Sequence, residues 1–293
     1  MFDNFPECRL AAQIFDFETW NGKSYMIILK FVLIFNIFSN SSLIYGLVRT
    51  NQLRRFSNRL FFALSVNGLV AGSLAMVSLS TSIFVQTEGG CQFWSRVSGD
   101  VLKFYSHAED LGTTMLALDR LIHIRCSWKS YIIFSKKKAL VIFLIISYSP
   151  GLMLVLVDIY YGRLLLILLG TISAFNLTVF FVTNLQLIIY IRHEGRLIWG
   201  LSKSFNRTAV YQRKATNTIL CITSVYSVCK LPVCCFLVYN FITLTWYPER
   251  DFVMSIYFLY WALLVQFMNS ILNALIFTLR NKTIMKFYRK KFV

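Results

Sequence analysis

The chain has 293 residues, 57% apolar and 16% aromatic, with only 15% charged. A mean hydropathy of +0.60 is too apolar for a soluble domain of this size. The formal charge of +17 does not point to nucleic acid, since the basic residues flank membrane-length apolar runs instead of covering a soluble fold.

Basic residues fall in four blocks: Arg49/Arg54/Arg55/Arg59, Arg125/Lys129/Lys136/Lys137/Lys138, Arg192/Arg196/Lys203/Arg207/Arg213/Lys214 and Arg280/Lys282/Lys286/Arg289/Lys290/Lys291. Among the residues between these cations only Glu194 is acidic, whereas Asp3, Glu7, Asp16, Glu18, Glu88, Asp158, Glu249 and Asp251 lie outside the blocks. Short loops rich in Lys and Arg stay on the cytoplasmic side of a polytopic membrane protein. They also attract an anionic inner leaflet.

In chain order, residues 1–24 read as an extracellular segment with no evident cleavable signal, so the first span serves as its own insertion signal. Seven spans follow, each near the ~20 residues that cross hydrocarbon: Tyr25–Val48, Leu60–Val85, Val97–His123, Ala139–Val157, Leu164–Ile191, Ala215–Leu244 and Phe252–Leu279. The third is rich in charge, but parity demands it. The basic blocks at 49–59 and 125–138 share one side, so an even number of crossings separates them. The expected fold is thus an all-α membrane protein: a seven-transmembrane helix bundle over residues 25–279 with a short amphipathic cytoplasmic helix in 280–293. The N-terminus is outside the cell membrane and the C-terminus inside. The sequons at Asn40, Asn176, Asn206 and Asn281 fall in spans or on the cytoplasmic side, so no glycan is expected.

Ionisable residues inside a membrane helix are costly and face the bundle interior or a wet cavity. In the third span Asp100, Lys103, His107, Asp110 and Thr114 follow steps of three and four along one face. Asp100–Lys103 and His107–Asp110 sit at contact spacing. Glu109 lies about 100° away and faces another neighbour. The stripe reads either as mutually neutralising pairs that glue helices together or as the lining of a polar cavity, and both hold if outer residues meet ligand while deeper ones pair. Lys230, two residues before Pro232 in the sixth span, needs an acid or must lose its proton. Asp110 is the expected partner and Glu109 the second choice.

Read together, several landmarks resemble a rhodopsin-like G-protein-coupled receptor across nearly the whole chain. They are Asn40 in the first span, the run Leu64-Ser65-Val66-Asn67-Gly68-Leu69 in the second, and Asp119-Arg120-Leu121 closing the third. Tyr190 sits near the inner end of the fifth, Cys229-Lys230-Leu231-Pro232 in the sixth, and Asn269-Ser270-Ile271-Leu272-Asn273-Ala274-Leu275-Ile276-Phe277 in the seventh. The tail Asn281–Phe292 follows as an amphipathic helix with Ile284, Phe287, Tyr288 and Phe292 on one side. Departures are many. Leu121 replaces tyrosine, Lys230 tryptophan, Ala274 proline and Phe277 tyrosine, and Leu102 stands at the amine-binding aspartate position. The second-span aspartate that helps hold sodium in many relatives is Gly68, so the resemblance implies a sodium site only if Glu109 supplies the carboxylate. This erosion resembles the nematode serpentine chemoreceptors.

The resemblance implies a receptor for an extracellular ligand that activates a heterotrimeric G protein through Asp119, Arg120, Tyr190, Asn273 and Phe277. Gln212 stands where many relatives carry an acid, which leaves Asp119 to restrain Arg120. The ligand, a small chemical cue or alternatively a neuropeptide, is expected at Asp100, Lys103 and His107, with Trp94 and Trp246 at the rim. Glu109, Asp110, Lys230, Asn67, Asn40 and Asn269 form the expected buried polar network. Cys91 lies near the family's disulfide position and Cys8 is the other outer thiol, which suggests a Cys8–Cys91 bridge. Cys126, Cys221, Cys229, Cys234 and Cys235 read as small apolar packing residues.

An ion- or proton-coupled transporter or channel, using Asp100, Glu109, Asp110 and Lys230, is the alternative class. It lacks inverted repeats and paired Gly/Pro-broken helices in this sequence. An enzyme is not expected. No nucleophile motif appears, and His107, His123 and His193 are too scattered in depth to bind one metal. No cofactor is expected.

Overall fold

A computed structural model describes residues 20–54, 56–84, 105, 107–119, 121–122, 171, 174–189, 216–235, 239 and 252–292. Its helices are α1 (Trp20–Arg49), α2 (Phe56–Phe84), α3 (107–119), α4 (Ala174–Ile189), α5 (Thr216–Cys235), α6 (Phe252–Arg280) and α7 (Lys282–Phe292). Against the spans expected from sequence, α1, α2 and α3 fall in the first three, α4, α5 and α6 in the fifth, sixth and seventh, and α7 in the tail. The fourth span lies outside the described residues. The second helix begins at Phe56, a turn before the expected Leu60.

Polar side chains set the connections between helices. After Arg49 the chain leaves α1 through Asn51 at φ 52°, the left-handed conformation that asparagine tolerates better than most residues. A 3-10 turn, Gln52–Arg54, follows. Its carbonyls are capped from the first turns of α2, with Asn58 Nδ2 donating to Gln52 O at 2.8 Å and Arg59 Nε to Leu53 O at 2.7 Å. Asn281 separates α6 from α7. Its Oδ1 accepts from the backbone N–H groups of Thr283 at 3.1 Å and Ile284 at 3.4 Å, an N-cap on α7.

Cross-links at one end of the molecule show that α2 runs antiparallel to α3 and α5 antiparallel to α6. Ser57 at the start of α2 donates to Asp119 at the end of α3 (2.9 Å), and Arg280 at the end of α6 donates to Asn217 O at the start of α5 (2.9 Å). The larger apolar core among the described residues lies near this end. Leu43 and Leu47 of α1, Leu60 and Phe61 of α2 and Leu116 of α3 meet Ile219 and Ile222 of α5, Ala274 and Phe277 of α6, and Ile284 of α7. A smaller cluster, Tyr25, Met26 and Leu264, joins α1 to α6 beside the edge-to-face pair Tyr25–Trp261 (5.4 Å).

Small residues let α1 and α2 approach closely, as membrane helices require where lipid gives no hydrophobic drive to associate. Asn36 Nδ2 donates to Gly68 O at 2.8 Å, and a Cβ on Gly72 would stand 2.5 Å from the same nitrogen. Among the described residues Ser24–Arg49, Ser57–Val77 and Thr216–Cys235 are long and apolar enough to cross a membrane, and Ala174–Ile189 and Leu264–Arg280 are shorter apolar helices. Large apolar side chains such as Phe31, Phe35, Phe38 and Val228 point outward while Asn36, Asn40, Asn67, Asp110 and Lys230 are inside. That inversion belongs to a helical membrane protein.

Candidate functional site

Adjacent positions on a helix point about 100° apart, so Glu109 and Asp110 of α3 reach different helices. Asp110 turns to α5. Tyr226 Oη donates to Asp110 Oδ1 at 2.7 Å, and Lys230 Nζ lies 2.8 Å from Oδ2. The lysine and aspartate side chains are 5% and 1% exposed. Tyr226 and Lys230 are one turn apart on the same face of α5, so each carboxylate oxygen has its own donor. The pairing expected for Lys230 is present, with the first-choice acid. Charge-assisted bonds in a dry interior are short and strong, and the charge cost of each partner is met by the other.

The same face of α5 also holds α4. Thr223 Oγ1 donates to Asn184 Oδ1 at 2.8 Å, and the Phe180 ring stacks on Tyr226 edge-on at 4.9 Å. Thr223, Tyr226 and Lys230, spaced by three and four, thus bind α5 to α4 and α3 along one stripe.

Glu109 turns to α6, where Asn269 Nδ2 donates to its Oε1 at 2.9 Å. It lines a cavity of about 10 Å³ together with Asn40, Ser65, Ser270 and Asn273, enough for about one water-sized occupant. Asn40 Nδ2 donates to Ser270 Oγ at 3.1 Å and to Asn36 Oδ1 at 2.7 Å. Asn67 Nδ2 donates to Tyr105 O at 3.0 Å. Three carbonyl oxygens in this region, Asn67 Oδ1, Asn269 Oδ1 and Asn273 Oδ1, are buried with no hydrogen-bond partner among the described residues. A Cβ on Gly68 would collide with Ser270 Oγ and approach Asn40. An aspartate at that position therefore has no room unless Ser270 moves, and Glu109 brings a carboxylate to the same cavity from α3.

His107, one turn from Asp110 on α3, is buried, 3% exposed, with no hydrogen bond between the two among the described residues. Both oxygens of Asp110 are engaged by α5, and His107 Nδ1 has no partner among the described residues. A helix position four residues from Lys230 supplied a better donor than the neighbour on α3. One expectation needs correction: among the described cysteines only Cys229 is buried, with Cys234 half-buried, while Cys221 and Cys235 are exposed. In a membrane, an exposed thiol on an apolar helix costs little.

The other expected residues divide simply. Asp119 is buried and takes the hydrogen bond from Ser57. Phe277 lies in the core with its ring 3.9 Å from that of Phe61. Trp94, Asp100, Lys103, Arg120, Tyr190, Gln212, Trp246, Cys8, Cys91 and Cys126 lie outside the described residues. Tyr226 and Asn36 are the central polar residues that sequence reasoning did not single out. The four-residue step from Tyr226 to Lys230 and the Gly68-x-x-x-Gly72 spacing beside Asn36 were the signals available. No group of three His, Cys, Asp or Glu side chains suited to a metal occurs among the described residues. No known family model matches this chain, and no curated protein aligns with it.

Proposed function

We propose that this protein is a divergent seven-span receptor that binds an extracellular chemical cue and activates a heterotrimeric G protein. The observation that carries this reading is the convergence of polar side chains from four helices, α1, α2, α5 and α6, on α3. Asn40, Asn67, Lys230, Asn269 and Asn273 come from positions picked out in the sequence by the receptor-like landmarks, and they gather with Asp110 in one apolar bundle. In such a bundle ligand binding acts by biasing two packed arrangements of the same helices. The Asp110 clasp is the contact whose loss would free α5, and Asp119 stands at the end of α3 next to Arg120, where a G protein would engage.

A sodium ion, which the resemblance implies only with Glu109 as its carboxylate, would find suitable donors in this cavity. Glu109, Ser65, Ser270 and Asn273 offer the hard oxygen donors a small cation takes. Bound there, it would supply the positive charge that a buried carboxylate needs. A transporter is the second reading, favoured by the same buried Glu109, Asp110 and Lys230.

The test is expression in cells carrying a G-protein biosensor, with odorant and peptide libraries applied outside. A ligand-dependent response that Arg120→Ala abolishes at unchanged surface expression is the expected result. Ligand-driven current or uptake in proteoliposomes, with no biosensor response, would replace the receptor with the transporter.

A further inference from the structure

The lower outer surface of α1 carries a charge cluster that the interior site does not use. Lys291 Nζ of α7 donates to Tyr45 Oη at 3.2 Å and lies 4.8 Å from the centre of the Tyr45 ring. The Arg49 guanidinium lies 5.6 Å from the same ring centre. Both cations are exposed. Two like charges gathered on one phenol repel each other unless an anion joins them. The acids among the described residues, Glu109, Asp110 and Asp119, all sit on α3 and are turned to α6, α5 and α2, respectively. None of them serves this cluster.

The surface above the cluster says which anion belongs there. Phe31, Phe35, Phe38, Tyr45 and Arg49 follow one another by four, three, seven and four residues, so they share one face of α1. The three phenylalanines are 60%, 58% and 72% exposed, and Tyr45 37%. The apolar window of α1 ends at Arg49, which sets the cation pair at the depth where hydrocarbon meets headgroups. An aromatic track thus leads down to a phenol and two cations at the membrane boundary.

We propose that Arg49, Lys291 and Tyr45 bind the phosphate of an anionic phospholipid whose acyl chain lies along Phe38, Phe35 and Phe31. The site holds the phosphate between a guanidinium and an ammonium, with the tyrosine hydroxyl as a further donor. Because Lys291 belongs to α7 and Arg49 to α1, the bound lipid ties α7 to the bundle. This site rests on the membrane reading of the helices and not on receptor activity, so loss of either conclusion leaves the other standing.

The test uses the purified full chain in mixed micelles, with dioleoyl phosphatidic acid as probe and dioleoyl phosphatidylcholine as competitor, read by native mass spectrometry. Wild type is expected to retain phosphatidic acid. The double variant Arg49→Gln/Lys291→Gln should lose about thirtyfold in affinity, because it removes both charge-assisted contacts to the phosphate. The control Lys282→Gln/Lys290→Gln removes two exposed cations from α7 that make no such contact and should lose far less, about threefold. An equal loss in the control would mean diffuse attraction and overturn the site. Competition by glycerol phosphate, which has no acyl chain, at the same concentration as the lipid would overturn the lipid assignment.

Discussion

Asp110 has a donor for each oxygen, both from one helix face, and that geometry makes the consequences of substitution unequal. Lys230→Met leaves an uncompensated carboxylate beside one remaining donor, and Asp110→Asn leaves an ammonium without its anion. Removing one partner of a buried pair costs about 3–5 kcal/mol, whereas replacing both can be close to neutral. Each single variant should therefore melt well below wild type in detergent, while Asp110→Asn/Lys230→Met should regain much of the loss. Tyr226→Phe should fall between them and wild type, since a hydrogen bond to a charged group contributes about 1.5–3 kcal/mol. Single-variant losses that simply add in the double variant would show that the pair has no coupling. The pairing was legible in sequence because an ammonium inside an apolar helix must find an acid. The choice between Asp110 and Glu109 was not, because it turns on a rotation of about 100° that one sequence does not fix. Tyr226 was not singled out, because its hydroxyl partner lies 116 positions away.

At the scale of elements, α7 shows what a pattern can and cannot convey. Its amphipathic spacing and the asparagine before it announce a short helix with Ile284, Phe287 and Tyr288 on its apolar side. What that side meets was invisible, since a helix declares a face but not a partner. The structure seats it on α1 through a glycine. A Cβ on Gly46 would stand 2.9 Å from Ile284 Cγ2 and 3.4 Å from the Tyr288 ring. Tyr288 and Ser42 then close the joint, with Ser42 Oγ donating to Tyr288 Oη at 3.0 Å and Tyr288 Oη to Ser42 O at 2.5 Å. Gly46→Val should push α7 away while leaving α1 helical, because overpacking of a tight contact costs about 1–3 kcal/mol. Hydrogen exchange of the amides at 284–288 is the measurement, and protection equal to wild type would show that α7 holds on by other means. The glycines of α2 were equally quiet in sequence. Gly68 stood out only as a missing aspartate, although its backbone oxygen receives Asn36 and its bare Cα makes room for Ser270.

For the whole molecule, the structure brings Arg49 and the cations of α7 to one end, whereas the basic block at 125–138, on which the parity argument turns, lies outside the described residues. Hydropathy alone would have missed α3, because its acids lower the average that marks a span. Those same acids connect it to α5 and α6 and put it at the centre. If the clasp is what keeps α5 at rest, breaking it should change the bundle and not only its stability. Cys229 adjoins Lys230 and is buried, while Cys235, on the same helix, is exposed. The ratio of their maleimide labelling rates, read by peptide mass spectrometry, therefore reports movement of α5 with an internal reference. In Lys230→Met and in Asp110→Asn the Cys229 rate should rise about tenfold relative to Cys235, which corresponds to about 1.4 kcal/mol of opening equilibrium. The double variant should label between the single variants and wild type. Basal biosensor activity should rise in the order of the labelling ratios if α5 movement is the receptor's output. An unchanged ratio in both single variants, alongside lowered melting temperatures, would reduce Asp110 and Lys230 to static glue between α3 and α5.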